Sequence, residues 1–111
     1  MSIIDNFEAM LARGQDSALL RYSLGNEYLK QGDATKAIAH LADALRQDPT
    51  YSAAWKLYGK ALAETGAPQR AIDAFDQGIA AAEAKGDVQA AKEMRVFRKR
   101  AARALGDEPT G

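Results

Sequence analysis

Apolar residues recur along this chain at intervals of three and four, the spacing of a buried helix face, and no run alternates as a half-exposed strand would. Ala37, Leu41 and Ala44 share one such face, as do Ala71, Phe75 and Gly78. Ile3, Phe7 and Met10 form another near the start, and Val88, Ala91, Met94, Phe97, Ala101 and Leu105 form the last. Gly14, Gly32, Gly66, Gly86 and Gly106 each follow a helix-compatible run, where a residue tolerant of left-handed dihedrals ends a helix cheaply. Asp33 and Asp87 are N-caps by type, and Pro68 suits a first helical turn. Pro49 stops the preceding run by restricting Asp48. These signals predict six helices, at 3–13, 17–31, 34–47, 52–65, 68–85 and 87–105. Connections of a few residues predict antiparallel neighbours.

The pattern is written twice. Shifted by 34 positions, Leu24-Gly25 falls on Tyr58-Gly59, Tyr28 on Leu62, and Gly32 on Gly66. Ala37-Ile38 falls on Ala71-Ile72, Leu41 on Phe75, and Ala44 on Gly78. A fixed period of this length marks a repeat architecture. Physically, Gly25 and Gly59 are expected to meet Ala37 and Ala71, small against small, so that paired helices approach closely. Leu41 and Phe75 then fill the remaining gap, and Ala44 and Gly78 leave room for the following helix.

This spacing of small and bulky residues resembles the tetratricopeptide repeat family. The departures are Arg21 where the second copy has Trp55, Tyr58 in place of leucine, and Glu83 in place of proline. Lacking that proline, the fifth helix should run on to Lys85. The resemblance implies an all-α fold: a right-handed α–α superhelix of antiparallel helix hairpins. Two full units, at about 18–51 and 52–85, are flanked by an N-terminal half-repeat helix at 3–13 and a C-terminal capping helix at 87–105. Residues 1–106 are expected to form this single domain, with 107–111 a disordered tail. Ile3, Phe7 and Met10 would close one end and the Val88–Leu105 stripe the other.

Composition narrows the function classes. Fifteen basic and fifteen acidic side chains give zero formal charge, so no bulk charge calls for nucleic acid or membrane. The absence of cysteine removes disulfide, thiolate and cysteine-ligand chemistry. Asp5 and Glu8 interrupt the stretch where a signal peptide would need a basic start and an apolar core. A cytoplasmic protein is expected, with no membrane partner. No phosphate loop, nucleophile elbow or paired metal-binding histidines occurs, so neither catalysis nor a cofactor or metal is expected. The single histidine, His40, sits beside Leu41 and not on its face, and reads as a solvated surface residue.

In the family the resemblance points to, the first helix of each unit lines an inner groove. Tyr22, Asn26, Leu29 and Lys30 occupy that face in the first unit, with Ala53, Lys56, Leu57, Lys60 and Ala63 in the second. Tyr22 would be an exposed aromatic anchor. Asn26 would bond a peptide backbone, while Lys30, Lys56 and Lys60 would meet carboxylates. The resemblance thus implies a protein or peptide partner with an acidic or C-terminal carboxylate group. Leu57 stands where a second clamp asparagine is expected. The last helix adds a basic arm: Lys92, Arg95, Arg98, Lys99 and Arg103, with Arg100 and with Lys85 just before the helix, make seven cations facing only Asp87 and Glu93. Two alternatives follow: self-association into a homo-oligomer through an unsatisfied end near Met94–Phe97, and, more weakly, nucleic-acid binding through the arm.

Overall fold

The computed structural model describes residues 1–106, and these are helical apart from short connections. The helices are α1 (Ile3–Ala12), α2 (Ala18–Lys30), α3 (Ala34–Gln47), α4 (Ser52–Glu64), α5 (Pro68–Ala84) and α6 (Val88–Gly106). Expected helix ends agree to within one residue. The tail expected to lack order, 107–111, lies outside the described residues.

Local chemistry accounts for those ends. Asp33 and Asp87 accept from the backbone N–H of Lys36 and Ala90 at 3.1 Å, as N-caps should. Two caps went unread: Ser17 accepts from Leu20 N–H, and Ser2 and Asp5 form a reciprocal capping box. At the other ends, Gly32 and Gly66 adopt φ of 81° and 79°, a region costly for any residue with a Cβ. That turn lets Asp33 N–H reach Tyr28 C=O at 2.9 Å and Ala67 N–H reach Leu62 C=O at 3.0 Å, closing the last carbonyls. Gly14 and Gly86 end α1 and α5 in the same way. Gly106 differs, since α6 runs through it. With Glu83 where the family carries proline, α5 reaches 17 residues against 14 for α3.

Side-chain pairs fix the helix directions. Tyr28 meets Lys36 and His40 while Arg21 meets Asp43, so α2 and α3 run antiparallel. Glu83 pairs with Arg95 and Asp76 with Arg98, which sets α6 against α5 in the same sense. The molecule measures 49 × 33 × 19 Å. Its thin direction is about two helix diameters, so it is two layers deep. Hydrophobic contact is continuous along the slab: Ile38, Trp55 and Tyr58 touch both the Leu24–Leu41 and the Leu62–Phe75 parts of the core.

The packing at the glycines differs from the small-against-small expectation. A Cβ on Gly25 would lie 2.5 Å from Leu41 Cγ, and one on Gly59 would overlap the Phe75 ring. A Cβ on Gly78 would strike Met94 and sit 2.7 Å from Trp55 Cβ. Each glycine therefore receives a large side chain from the next helix. Ala37 and Ala71 are buried too, but the knob that fills the glycine notch lies one turn further on. Two end residues also change face. Ile3 is exposed and its neighbour Ile4 takes the buried place on α1, whose core stripe is Ile4, Phe7, Met10 and Leu11, so the expected Phe7 and Met10 do pack inward. Val88 is likewise exposed, standing on the first turn of α6 before the helix meets α5.

Gly59→Ala is expected to destabilise the protein by about 1–3 kcal/mol through overpacking against Phe75, despite a helix-propensity gain of about 1 kcal/mol. Urea denaturation followed by circular dichroism checks this, and a stabilised variant would contradict the notch packing.

Candidate interaction surface

The first helices α2, α4 and α6 form one layer and present the residues singled out for binding. Tyr22 is half-buried, not freely exposed: its ring stacks on Tyr51 at 5.0 Å and packs against the core edge. Tyr51 caps the start of α4, so the aromatic expected to await a ligand already joins α2 to the entry of α4. Asn26 is half-exposed on the same helix. Lys30 extends outward and pairs with Glu27 of its own helix at 3.3 Å. Leu57 is buried and does not line a groove.

The two lysines of α4 turn toward α6. Lys56 Nζ bonds Glu93 at 3.1 Å, and this contact, with a bond from Gln89, holds the Glu93 carboxyl below the usual range. One turn on, Lys60 Nζ lies 5.0 Å from the centre of the Phe97 ring, within cation–π reach. Among the described residues, no hydrogen bond or ion pair joins Tyr22, Asn26 or Lys30 to Lys56 or Lys60. The structure therefore separates the expected site into an α2 part and an α4–α6 part. Phe97 and Arg100, which complete the second part, belong to the apolar stripe and the basic arm of α6, and their i, i+3 spacing is the sequence signal that pairs them.

The basic arm is partly neutralised. Arg98 pairs with Asp76 and Arg95 with Glu83, both on α5. Lys92, Lys99 and Arg103 remain on the exposed side of α6.

His40 is not a solvated surface residue. It is stacked on Tyr28 with ring centres 5.5 Å apart and planes 2° from parallel. Arg21 Nη1 donates to its Nδ1 at 3.2 Å, so the neutral ring carries its proton on Nε2, which faces Glu8 at 3.4 Å. Tyr28 O–H donates to the same Glu8 carboxylate at 3.0 Å. Glu8 thus ties α1 to both α2 and α3. Arg21 also grips Asp16 through two bonds of 2.9 Å and pairs with Asp43 at 3.0 Å. Hydrogen bonds from Arg21 and Gln47 lower the Asp16 carboxyl to about 2. The signal for this cluster was Arg21 itself, a charge at the position where the second unit has Trp55.

Taken together, two notch-packed helix hairpins, a polar-anchored helix at one end and a long amphipathic helix at the other define a helical-repeat protein. The Tetratricopeptide repeat family matches residues 5–52 and 22–87. A TPR repeat-containing protein of Pseudomonas aeruginosa is 50% identical over 102 residues, spanning 92% of this chain and 97% of the relative. The solution structure of a Bordetella parapertussis protein is similar at TM-score 0.83 and 44% identity, over 97% of this chain and 94% of that one. A tetratricopeptide repeat domain protein of Salinibacter ruber is similar at TM-score 0.72 and 28% identity, over 78% and 97%. The chain belongs to the tetratricopeptide repeat family, and its fold is the right-handed α–α superhelix of that family.

Burial pushes the His40 pKa below its ordinary value, and nearby Arg21 adds to this while Glu8 and Asp43 oppose it. The unfolded chain then binds a proton that the folded one resists, so stability is full above the ordinary value near 6.5 and falls as pH drops through it. The lowered carboxyls act only below their ordinary values of 3.8 to 4.5. Thermal melting between pH 7.5 and 5.5 should show a falling midpoint, and His40→Gln should flatten that slope.

Proposed function

We propose that this chain is a non-enzymatic protein-interaction module, binding a short peptide or a partner helix along the inner layer formed by α2, α4 and α6. One observation carries this reading. Asn26, Lys56 and Lys60 stay half-exposed on successive first helices, while the faces opposite them are spent on the core. Family membership supports it, since the fold is a general scaffold for holding other proteins.

The dimensions set the ligand's size. Three helix axes spaced about 8–10 Å apart give a track of roughly 20 Å. At about 3.3 Å per extended residue, that accommodates some six residues. Such a small contact gives modest affinity unless several copies act together. Lys56 contributes here as part of the wall, held by Glu93, whereas Asn26 and Lys60 offer the polar contacts. No helix among the described residues is long and apolar enough to cross a membrane.

Affinity capture from the native cell tests this reading. Asn26→Arg places a bulky cation on the inner wall and should reduce recovery of the specific partner about tenfold, equivalent to about 1.4 kcal/mol. Lys92→Glu, on the exposed side of α6, should leave recovery unchanged. Undiminished capture by the Asn26→Arg protein would place the interaction elsewhere.

A further inference from the structure

Between the C-terminal halves of α4 and α6, above the start of α5, lies an open pocket of about 410 Å³. Its floor is aromatic: Phe75 and Phe97 have ring centres 6.0 Å apart and lie 24° from parallel. Its walls include Ala63 and Ala104, both exposed and small enough for another chain to approach closely. Its rim carries two cations. Lys60 Nζ lies 5.0 Å and Arg100 Cζ 5.5 Å from the Phe97 ring centre. Glu64 is the one carboxylate among the lining residues.

We propose that this pocket takes a bulky apolar side chain from a partner segment in which carboxylates flank that side chain. The proposal deepens the interaction-module reading and rests on it. The volume falls within the range of about 300–1,000 Å³ typical of pockets that enclose small ligands, ample for one large side chain. The aromatic floor rewards an apolar group, which a purely electrostatic site would not provide. Charge selects the flanks. Lys60 and Arg100 make no ion pair among the described residues, whereas Lys56, one turn earlier, is already matched by Glu93. Both cations lie over the Phe97 ring, Lys60 half-buried and Arg100 exposed at the pocket mouth. An incoming carboxylate therefore forms strong charge-assisted bonds there. Glu64 opposes the ligand and weakens it.

A fluorescence-anisotropy titration with a labelled, end-blocked peptide tests this. The peptide carries one leucine with two glutamates on each side, so no terminal carboxylate contributes. Exchanging leucine for serine, or the glutamates for glutamines, should each weaken binding at least tenfold. Ala104→Trp fills the pocket from an exposed position, leaves the core intact by circular dichroism, and should also cost at least tenfold. Lys60→Glu with Arg100→Glu should abolish binding, while Glu64→Gln should tighten it two- to threefold. Failure of the peptide to bind overturns the proposal. Equal binding of the leucine and serine peptides, or indifference to Ala104→Trp, overturns it as well, since simple charge attraction would then suffice. Should pocket variants fail in this way while Asn26→Arg still reduces partner capture about tenfold, the interaction-module reading survives and the pocket alone is rejected.

Discussion

A missing side chain on one helix and a large one on the next set the geometry of this molecule. Gly25 receives Leu41, Gly59 receives Phe75, and Gly78 receives Met94. Each contact brings a knob to the backbone of its neighbour, so the helices approach more closely than two Cβ-bearing surfaces allow. The first two contacts close the α2–α3 and α4–α5 hairpins. The third carries the same device from α5 into α6. These notches seat α3, α5 and α6 each on the helix before it, and the same device recurs along the stack.

The two ends of the array are finished by different physics. Toward the start, Arg21, Asp16, Asp43, His40 and Glu8 form a linked set of ion pairs and hydrogen bonds. One period later the counterparts of Arg21, His40 and Asp43 are Trp55, Ala74 and Gln77, and aromatic contact replaces the network. The change follows from neighbours. Trp55 stands against Gly78 and the core on both sides, while Arg21 stands beside the connection from α1 and keeps partial access to water. Ile4 is the buried residue of α1, Phe7, Met10 and Leu11 pack beside it, and the carboxylate of Glu8 adds a polar anchor for that helix. Charged contacts of this kind are individually weak where water reaches them, and their geometric linkage matters more than their number.

At the other end, α5 is three residues longer than α3 before α6 begins. Lys56 and Glu93 bridge α4 and α6 at one place, and a pocket opens between them over Phe75 and Phe97 at another. The inner layer is therefore not a uniform groove. Its α2 portion is occupied by the Tyr22–Tyr51 stack, and its open aromatic surface lies beside the C-terminal helix.

Helix number, helix ends and the 34-residue period were all present in the order of residues, because glycine, proline and cap preferences act within a few positions. The buried faces were readable for the same reason, down to Leu41, Phe75 and Met94. Shifts by one residue, as between Ile3 and Ile4, escaped because periodicity defines a stripe more sharply than its starting point. The candidate surface was only half readable. The order of residues puts Asn26 and Lys60 on half-exposed helix faces, but what meets each side chain depends on residues far away in sequence. Tyr51 covers Tyr22, Glu93 holds Lys56, and Tyr28, Arg21 and Glu8 enclose His40. Those encounters span 12 to 37 positions and exist only once the helices are stacked. Local chemistry thus determined the helices and their period, while packing between them decided which polar groups remain open to a partner.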